Sequence, residues 1–127
     1  MKKILTLLAT AVLAISAQAG EYPDISITEL KKAIADKQVT VIDANGNKSF
    51  TEKGHIPTAI NFHAKDGEIA KALPSDKGAL IVAYCGGPLC NAYEDAAKKA
   101  TELGYTNVKH LSAGISGWLQ AGEPTEK

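Results

Sequence analysis

Two cysteines carry most of the chemistry that this sequence offers. Cys85 and Cys90 are the two cysteines of the 127-residue chain, and they enclose the loop Gly-Gly-Pro-Leu, whose glycines allow the backbone to curl into a cup of inward-pointing amides. A helix is predicted to begin near Asn91, and the partial positive charge of a helix N-terminus lowers the pKa of a nearby thiol. Cys85 is therefore a candidate nucleophile, with a small buried core residue as the alternative.

Other polar residues near this loop have two interpretations each. Asp43 is predicted to end a strand, where it either accepts hydrogen bonds from loop amides and supports the cup or simply forms a turn. His55 either acts as a base or satisfies backbone groups within its Gly-His-Ile-Pro turn. His63 and His110 have no partner at ligand spacing, so we expect no metal site.

Short apolar runs alternate with helical patterns along the chain. Residues 79–84 are apolar at every position, which is typical of a strand buried on both faces of a parallel sheet. Apolar residues then recur at helical spacing up to Gly104, which predicts a helix over residues 91–103. The other predicted strands are residues 25–27, 39–43, 59–62 and 108–111. Another helix is predicted to begin near Thr28, and three more helical segments are predicted over residues 49–53, 69–73 and 115–120. The segment over residues 115–120 is expected to place Trp118 and Leu119 against the core.

This alternation predicts an α/β fold, a three-layer sandwich in which helices flank a mainly parallel central sheet. In such sheets ligands bind beyond the carboxyl ends of the strands. Asp43 and Cys85 each follow a predicted strand directly or end it. We therefore expect both residues at the edge of the sheet where function is located.

The first nineteen residues are predicted to be a secretory signal peptide. Lys2 and Lys3 precede an apolar run over residues 4–15, and Ser-Ala-Gln-Ala follows as an A-x-A cleavage site. The run is shorter than the roughly 18 apolar residues that a transmembrane anchor needs. We therefore expect cleavage after Ala19, a periplasmic location without a membrane anchor, and one domain over residues 20–127.

The charged residues argue against several kinds of partner. The chain has fourteen basic residues, all of them lysine, and fourteen acidic residues. Cleavage after Ala19 would remove two lysines and leave a mildly acidic surface. Without arginine, the bidentate forks that hold phosphate groups and bases are missing, so we expect no nucleic-acid partner and no phosphatase activity. We expect the protein to be a monomer.

Three further motifs, together with the strand, loop and helix around Cys85, resemble the rhodanese-like family. The motifs are Gly54-His55-Ile56-Pro57-Thr58-Ala59-Ile60-Asn61, Gly104-Tyr105-Thr106-Asn107-Val108, and Leu111-Ser112-Ala113-Gly114-Ile115-Ser116-Gly117-Trp118 with Ala121-Gly122-Glu123-Pro124. They occur in the family's order and on the elements predicted above. The resemblance spans almost the whole chain after residue 19.

The resemblance implies a sulfurtransferase, an enzyme in which Cys85 takes sulfane sulfur from a small donor and holds it as a persulfide. The donor would belong to the thiosulfate or polysulfide class, and the acceptor would be cyanide or a thiol, including a protein thiol. No cofactor is implied. Four backbone amides of the loop would bind the negative sulfur, those of Gly86, Gly87, Leu89 and Cys90.

Cys90 and Asn45 stand where many active members of that family have arginine. A cup without these cations gives less electrostatic help to a dianionic donor such as thiosulfate. Cys90 is either an ordinary residue at the helix start or a resolving thiol that attacks a sulfur-loaded Cys85 and leaves a disulfide, which requires Cα atoms within about 7 Å. Two alternatives to sulfur transfer stay open: a thiol-disulfide redox protein that uses both cysteines, and a non-catalytic binding module.

Overall fold

The described part of the chain forms a four-stranded sheet with helices on both faces. The computed structural model describes residues 22–64 and 69–127, so the predicted signal peptide lies outside the described residues. The strands are β1 (Thr40–Asp43), β2 (Ile60–Asn61), β3 (Leu80–Tyr84) and β4 (Asn107–His110). The helices are α1 (Ile27–Ala35), α2 (Ile69–Ala72), α3 (Tyr93–Glu102) and α4 (Gly114–Gln120), and Ser49–Lys53 forms a π-helical segment.

The sheet has the strand order β2-β1-β3-β4, and all three neighbouring pairs are parallel. Strand β3 is paired on both edges and its residues 81–84 are buried, which confirms the prediction from its uninterrupted apolar sequence. The register between β1 and β3 places Asp43 beside Tyr84 at the carboxyl ends of the two inner strands. Cys85 follows Tyr84, so the cysteine loop leaves the sheet at the same edge.

Two separate apolar clusters lie on the two faces of the sheet. On one face the alanines of α3 pack against alternate strand residues, and this cluster includes Ile42, Ile81, Ala83, Ala96, Ala97 and Ala100. On the other face Leu30 of α1 and Trp118 of α4 pack with Val41 and Val82. The alternation follows from the two-residue period of a strand. The three-layer α/β sandwich is therefore confirmed.

The predictions fail at two places. The strand expected over residues 25–27 is absent: Ser26 caps a helix that begins at Ile27, because its side chain accepts from the Glu29 amide while the Glu29 carboxylate accepts from the Ser26 amide. Leu119 was expected against the core, but it is 52% exposed because α4 turns Trp118 inward instead. Among the described helices, none is long and apolar enough to cross a membrane.

Candidate functional site

Cys85 and Cys90 are joined by a disulfide at the carboxyl edge of the sheet. Their Cα atoms are 6.3 Å apart, within the distance that a disulfide requires. Cys85 is 1% exposed and packs in the cluster that includes the alanines of α3, whereas Cys90 is partly exposed at the margin of that cluster. The two cysteines are thus brought together, and their exposure differs.

The first half of the cysteine loop is held by the start of α4. The carbonyl of Cys85 accepts from the Ile115 amide, and the carbonyl of Gly86 accepts from the Ser116 amide, both at 2.9 Å. The first amides of a helix have no partner inside the helix, so α4 satisfies its own orphan donors with loop carbonyls. This contact fixes the loop backbone next to Cys85.

Gly114 makes that contact possible. A Cβ at position 114 would lie 2.5 Å from the carbonyl carbon of Gly86 and from the amide nitrogen of Gly87, and the residue has a φ of +64°. A side chain is therefore excluded twice, by the loop backbone and by the left-handed conformation. The sequence reasoning placed Gly114 in a glycine turn of the third motif but gave no sign that the turn touches the cysteine loop.

The second half of the loop is a turn that closes on itself. The Cys90 amide donates to the Gly87 carbonyl at 3.0 Å, with Pro88 and Leu89 exposed between them. This corrects part of the predicted anion cup, because in the disulfide form the Cys90 amide already has a partner. Among the described residues, no backbone acceptor is found for the amides of Gly86, Gly87 and Leu89. These three amides are the loop's candidates for binding an anion.

Asp43 does not bind the loop amides, which corrects the supporting role predicted for it. Its carboxylate accepts from the Tyr84 hydroxyl at 2.6 Å and from the Asn45 amide at 2.7 Å. The reason is the register: Asp43 and Tyr84 are paired neighbours, and Tyr84 packs on the α1 and α4 face, whereas Cys85 packs on the opposite face. The alternative prediction, that Asp43 forms a turn, agrees with its hydrogen bond to the Asn45 amide. Its hydrogen bond with the Tyr84 hydroxyl was not predicted.

Asp43 and Tyr84 form a buried polar pair beneath the site. Both side chains are inaccessible to solvent, and the Tyr84 hydroxyl also accepts from the Ile56 amide at 3.0 Å. Burial raises the pKa of Asp43 above its ordinary value, against the opposing effects of the hydrogen bonds and of His55. Burial and the neighbouring carboxylate raise the pKa of Tyr84 too. The pair joins the ends of β1 and β3 to the motif around Ile56, and it positions the strand from which the cysteine loop emerges.

Asn45 lies next to the cysteine loop. Its side-chain Oδ1 would be 3.9 Å from a Cβ placed on Gly86, and its backbone amide donates to the Asp43 carboxylate. The structure thus brings this residue, which stands where the family resemblance leads one to expect arginine, to the edge of the cysteine loop. A neutral amide side chain contributes no positive charge there.

The three histidines contact aromatic rings or backbone carbonyls of the described chain. His55 is buried, stacks on Phe50 and contacts the Phe50 carbonyl through Nδ1 at 3.0 Å. His63 contacts the Ala44 carbonyl at 3.3 Å. His110 stacks on Tyr93, burial lowers its pKa, and its Nε2 has no hydrogen-bond partner within the described residues. In the same part of the chain, no group of three or more His, Cys, Asp or Glu side chains could hold a metal ion.

A family model described as a rhodanese-like domain matches residues 26–121. That range includes every strand and helix of the described chain and the whole cysteine loop.

Individual relatives are similar over most of their length. The thiosulfate sulfurtransferase GlpE of Shewanella oneidensis is 25% identical over 103 residues, which is 80% of this chain and 97% of that protein. The crystal structure of the BH2092 protein of Bacillus halodurans has a TM-score of 0.64 at 29% identity and covers 83% of this chain and 77% of its own. The solution structure of the polysulfide-sulfur transferase homodimer of Wolinella succinogenes has a TM-score of 0.65 at 17% identity, over 83% of this chain and 78% of that one, and it supports the fold.

Proposed function

The chain belongs to the rhodanese-like family, and from this membership we propose that it is an active sulfurtransferase in which Cys85 carries sulfane sulfur as a persulfide. One observation carries the proposal: Cys85 leaves the carboxyl end of an inner strand in a loop whose Cys85 and Gly86 carbonyls accept from amides of α4. The amides of Gly86, Gly87 and Leu89 have no backbone acceptor among the described residues, and we propose them as donors for a negative sulfur.

The proposed reaction has two transfer steps. The Cys85 thiolate attacks the outer sulfur of thiosulfate or a polysulfide, a sulfur–sulfur bond of the donor breaks, and sulfite or a shortened polysulfide leaves with the electron pair. An acceptor thiolate or cyanide then attacks the outer sulfur of the persulfide, and the Cys85 thiolate leaves. Dividing the transfer in this way replaces one difficult step by two easier ones.

Reduction must come before sulfur loading. In the disulfide form Cys85 has no free thiolate, and a disulfide sulfur is not a nucleophile. Two electrons from thiols open the bond and generate the thiolate that attacks the donor. We therefore propose that the oxidised protein described here is the resting form and the dithiol is the form that accepts sulfur.

The charge at the cysteine loop bears on the class of sulfur donor. The Shewanella relative bears the name thiosulfate sulfurtransferase, which supports thiosulfate, and the Wolinella structure bears the name polysulfide-sulfur transferase. This chain has lysine as its only basic side chain besides histidine, and the loop neighbour Asn45 is neutral. Less positive charge at the loop weakens the attraction for a dianion. We propose that a sulfane donor of lower charge, such as an organic persulfide, is a better substrate than thiosulfate or inorganic polysulfide, both of which are dianions.

A second candidate function follows from the disulfide itself. Because Cys85 and Cys90 are close enough to bond, the Cys90 thiolate can attack the inner sulfur of a Cys85 persulfide, form the disulfide and release hydrosulfide. In the absence of a donor the same pair exchanges electrons with partner thiols. This is the thiol-disulfide alternative, and it requires both cysteines.

A turnover assay separates these functions. The prereduced protein is incubated with thiosulfate or polysulfide and cyanide, and thiocyanate is measured. Sulfur transfer predicts turnover in wild type and in Cys90→Ser and none in Cys85→Ser. Equal turnover in wild type and Cys85→Ser would overturn the proposal, and donor binding without turnover in any form would favour the non-catalytic module.

We also propose where the protein acts. The charged start, apolar run and A-x-A site of residues 1–19 support export to the periplasm as a soluble domain of residues 20–127. That compartment is oxidising, and disulfides persist there. A disulfide that includes the proposed sulfur-carrying cysteine fits such a location.

A further inference from the structure

We propose that a partner thiol opens the disulfide by attacking Cys90, so that Cys85 leaves as the thiolate. The direction of opening follows from an asymmetry between the two halves of the loop. Its consequence, the release of a thiolate ready to accept sulfur, rests on the function proposed above. The direction itself can be measured without any sulfur donor.

Access favours Cys90. Cys85 is 1% exposed and packs among the apolar residues of one sheet face. Cys90 is partly exposed, and it follows the exposed residues Pro88 and Leu89, of which Leu89 is 99% exposed. The rate of thiol-disulfide exchange depends on which sulfur the incoming thiolate can reach. Cys90 is the more exposed of the two cysteines and is therefore the one that we propose is attacked.

Backbone support favours the same direction. The Cys85 and Gly86 carbonyls are held by the Ile115 and Ser116 amides of α4. The Cys90 amide is held by Gly87 within the loop turn. When the bond opens, the backbone at Cys85 therefore stays fixed. Cys90 belongs to a solvent-exposed turn, which can move with a partner bound to Cys90.

The leaving group also points to Cys85. Its thiolate would form at the start of a loop in which the amides of Gly86, Gly87 and Leu89 have no backbone acceptor among the described residues. Amide donors stabilise a thiolate, and a better stabilised thiolate leaves faster. Departure of Cys85 is thus the favoured outcome of exchange.

The steps balance with a dithiol reductant. One partner thiolate attacks Cys90 Sγ, the sulfur–sulfur bond breaks, and its electron pair leaves with Cys85 Sγ; a mixed disulfide then joins the partner to Cys90. The second partner thiolate attacks the partner sulfur of that mixed disulfide and releases the Cys90 thiolate. The loop gains two electrons and the partner becomes a disulfide. Leu89, beside the attacked sulfur, is the contact that a protein dithiol would cover.

Trapping the first step tests the direction. The oxidised wild-type protein is mixed with limiting glutathione, quenched early in acid, blocked with N-ethylmaleimide and mapped by fragment mass spectrometry. We expect glutathione on Cys90 and maleimide on Cys85 to exceed the reverse pattern by about tenfold or more. Glutathione mainly on Cys85, or shared equally, would overturn the proposal.

The contact at Leu89 has a matched control. Leu119 is the other large apolar side chain exposed in the described structure, on α4. Thioredoxin is used as the protein dithiol and dithiothreitol as the small one. Leu89→Ser is expected to slow reduction by thioredoxin severalfold and to leave the rate of reduction by dithiothreitol unchanged. Leu119→Ser is expected to change neither of these rates. Equal thioredoxin rates in the two variants would remove Leu89 from the contact. A protein that never loads sulfur but shows the predicted mapping would overturn the sulfurtransferase proposal and leave this one standing.

Discussion

Gly114 touches Gly86 so closely that no other residue fits at the start of α4. A Cβ on Gly114 would be 2.5 Å from the Gly86 carbonyl carbon and 2.6 Å from its oxygen. The two glycines are 28 positions apart in the chain, and the contact between them lets the amides of Ile115 and Ser116 reach the loop carbonyls. The position of the proposed sulfur-carrying loop therefore depends on a glycine in the last helix.

Replacing Gly114 by alanine should displace the loop as well as destabilise the protein. The left-handed φ alone costs about 1 kcal/mol, and the overlap with the loop backbone adds about 2 kcal/mol. We expect Gly114→Ala to lower the free energy of unfolding in urea by about 3 kcal/mol and to slow sulfur loading of the folded protein. Gly122 is the matched control, because its φ is +80° and nothing lies within 4 Å of its Cβ position. Equal losses in Gly114→Ala and Gly122→Ala would contradict the close contact.

The buried pair of Asp43 and Tyr84 should make stability depend on pH. Burial raises the pKa of Asp43 above 3.8, so the folded protein binds this proton more tightly than the unfolded chain does. Wild type should therefore gain stability relative to Asp43→Asn as the pH falls through the raised pKa, with the full gain present below the ordinary value. Urea unfolding of both proteins between about pH 7 and pH 4 measures the difference.

The comparison cancels the contributions of titrating groups that do not interact with Asp43. The asparagine also keeps the size of the side chain and an oxygen for the Asn45 amide, whose bond to Asp43 is 2.7 Å long. A difference in unfolding free energy that stays constant over this range, or that favours wild type as the pH rises, would show that the pKa of Asp43 is not raised.

The disulfide should contribute measurably to stability. Closing a loop of this size removes conformational freedom from the unfolded chain and stabilises the fold by about 2 kcal/mol in the chain-entropy model. Dithiothreitol is expected to lower the unfolding free energy of wild type by that amount. Cys90→Ser cannot form the bond, so its unfolding midpoint should be the same with and without reductant. Identical midpoints for oxidised and reduced wild type would contradict this contribution of the disulfide to stability.

Export predicts a defined N-terminus. Full-length protein expressed in a bacterial host should be recovered from the periplasm with Gly20 as its first residue, because signal peptidase cuts after small residues at an A-x-A site. Ala19→Leu should block the cut and leave the protein with its first nineteen residues. Intact mass and N-terminal sequencing check both forms. Recovery of an uncut wild type from the cytoplasm would refute the export proposal.

Local patterns in the sequence were sufficient to predict most elements of the fold. The apolar run of residues 79–84 predicted the inner strand β3, and the helical spacing before Gly104 predicted α3 to within two residues at its start. These signals are local, because a strand or helix shows its burial in the period of its own apolar residues. The place of Cys85 at the carboxyl edge of the sheet followed from the same strand.

The contacts of the site depended on information that the local pattern lacks. Asp43 was expected to face the loop, but strand register and the two-residue alternation put it with Tyr84 on the other face. The packing of Gly114 against Gly86 joins two segments whose separation in space is set by the whole sheet. Helix α1 begins at Ile27 rather than near Thr28, because Ser26 forms a capping box with Glu29.

The most direct test of the proposed function is the intact mass of the reduced protein after incubation with polysulfide or thiosulfate, in wild type, Cys85→Ser and Cys90→Ser. We predict the gain of one sulfur on Cys85 in wild type and in Cys90→Ser, and no gain in Cys85→Ser. Removal of that sulfur by cyanide or a thiol should restore the original mass. The absence of a sulfur gain in both wild type and Cys90→Ser, or the same gain in Cys85→Ser, would show that Cys85 does not carry the sulfur.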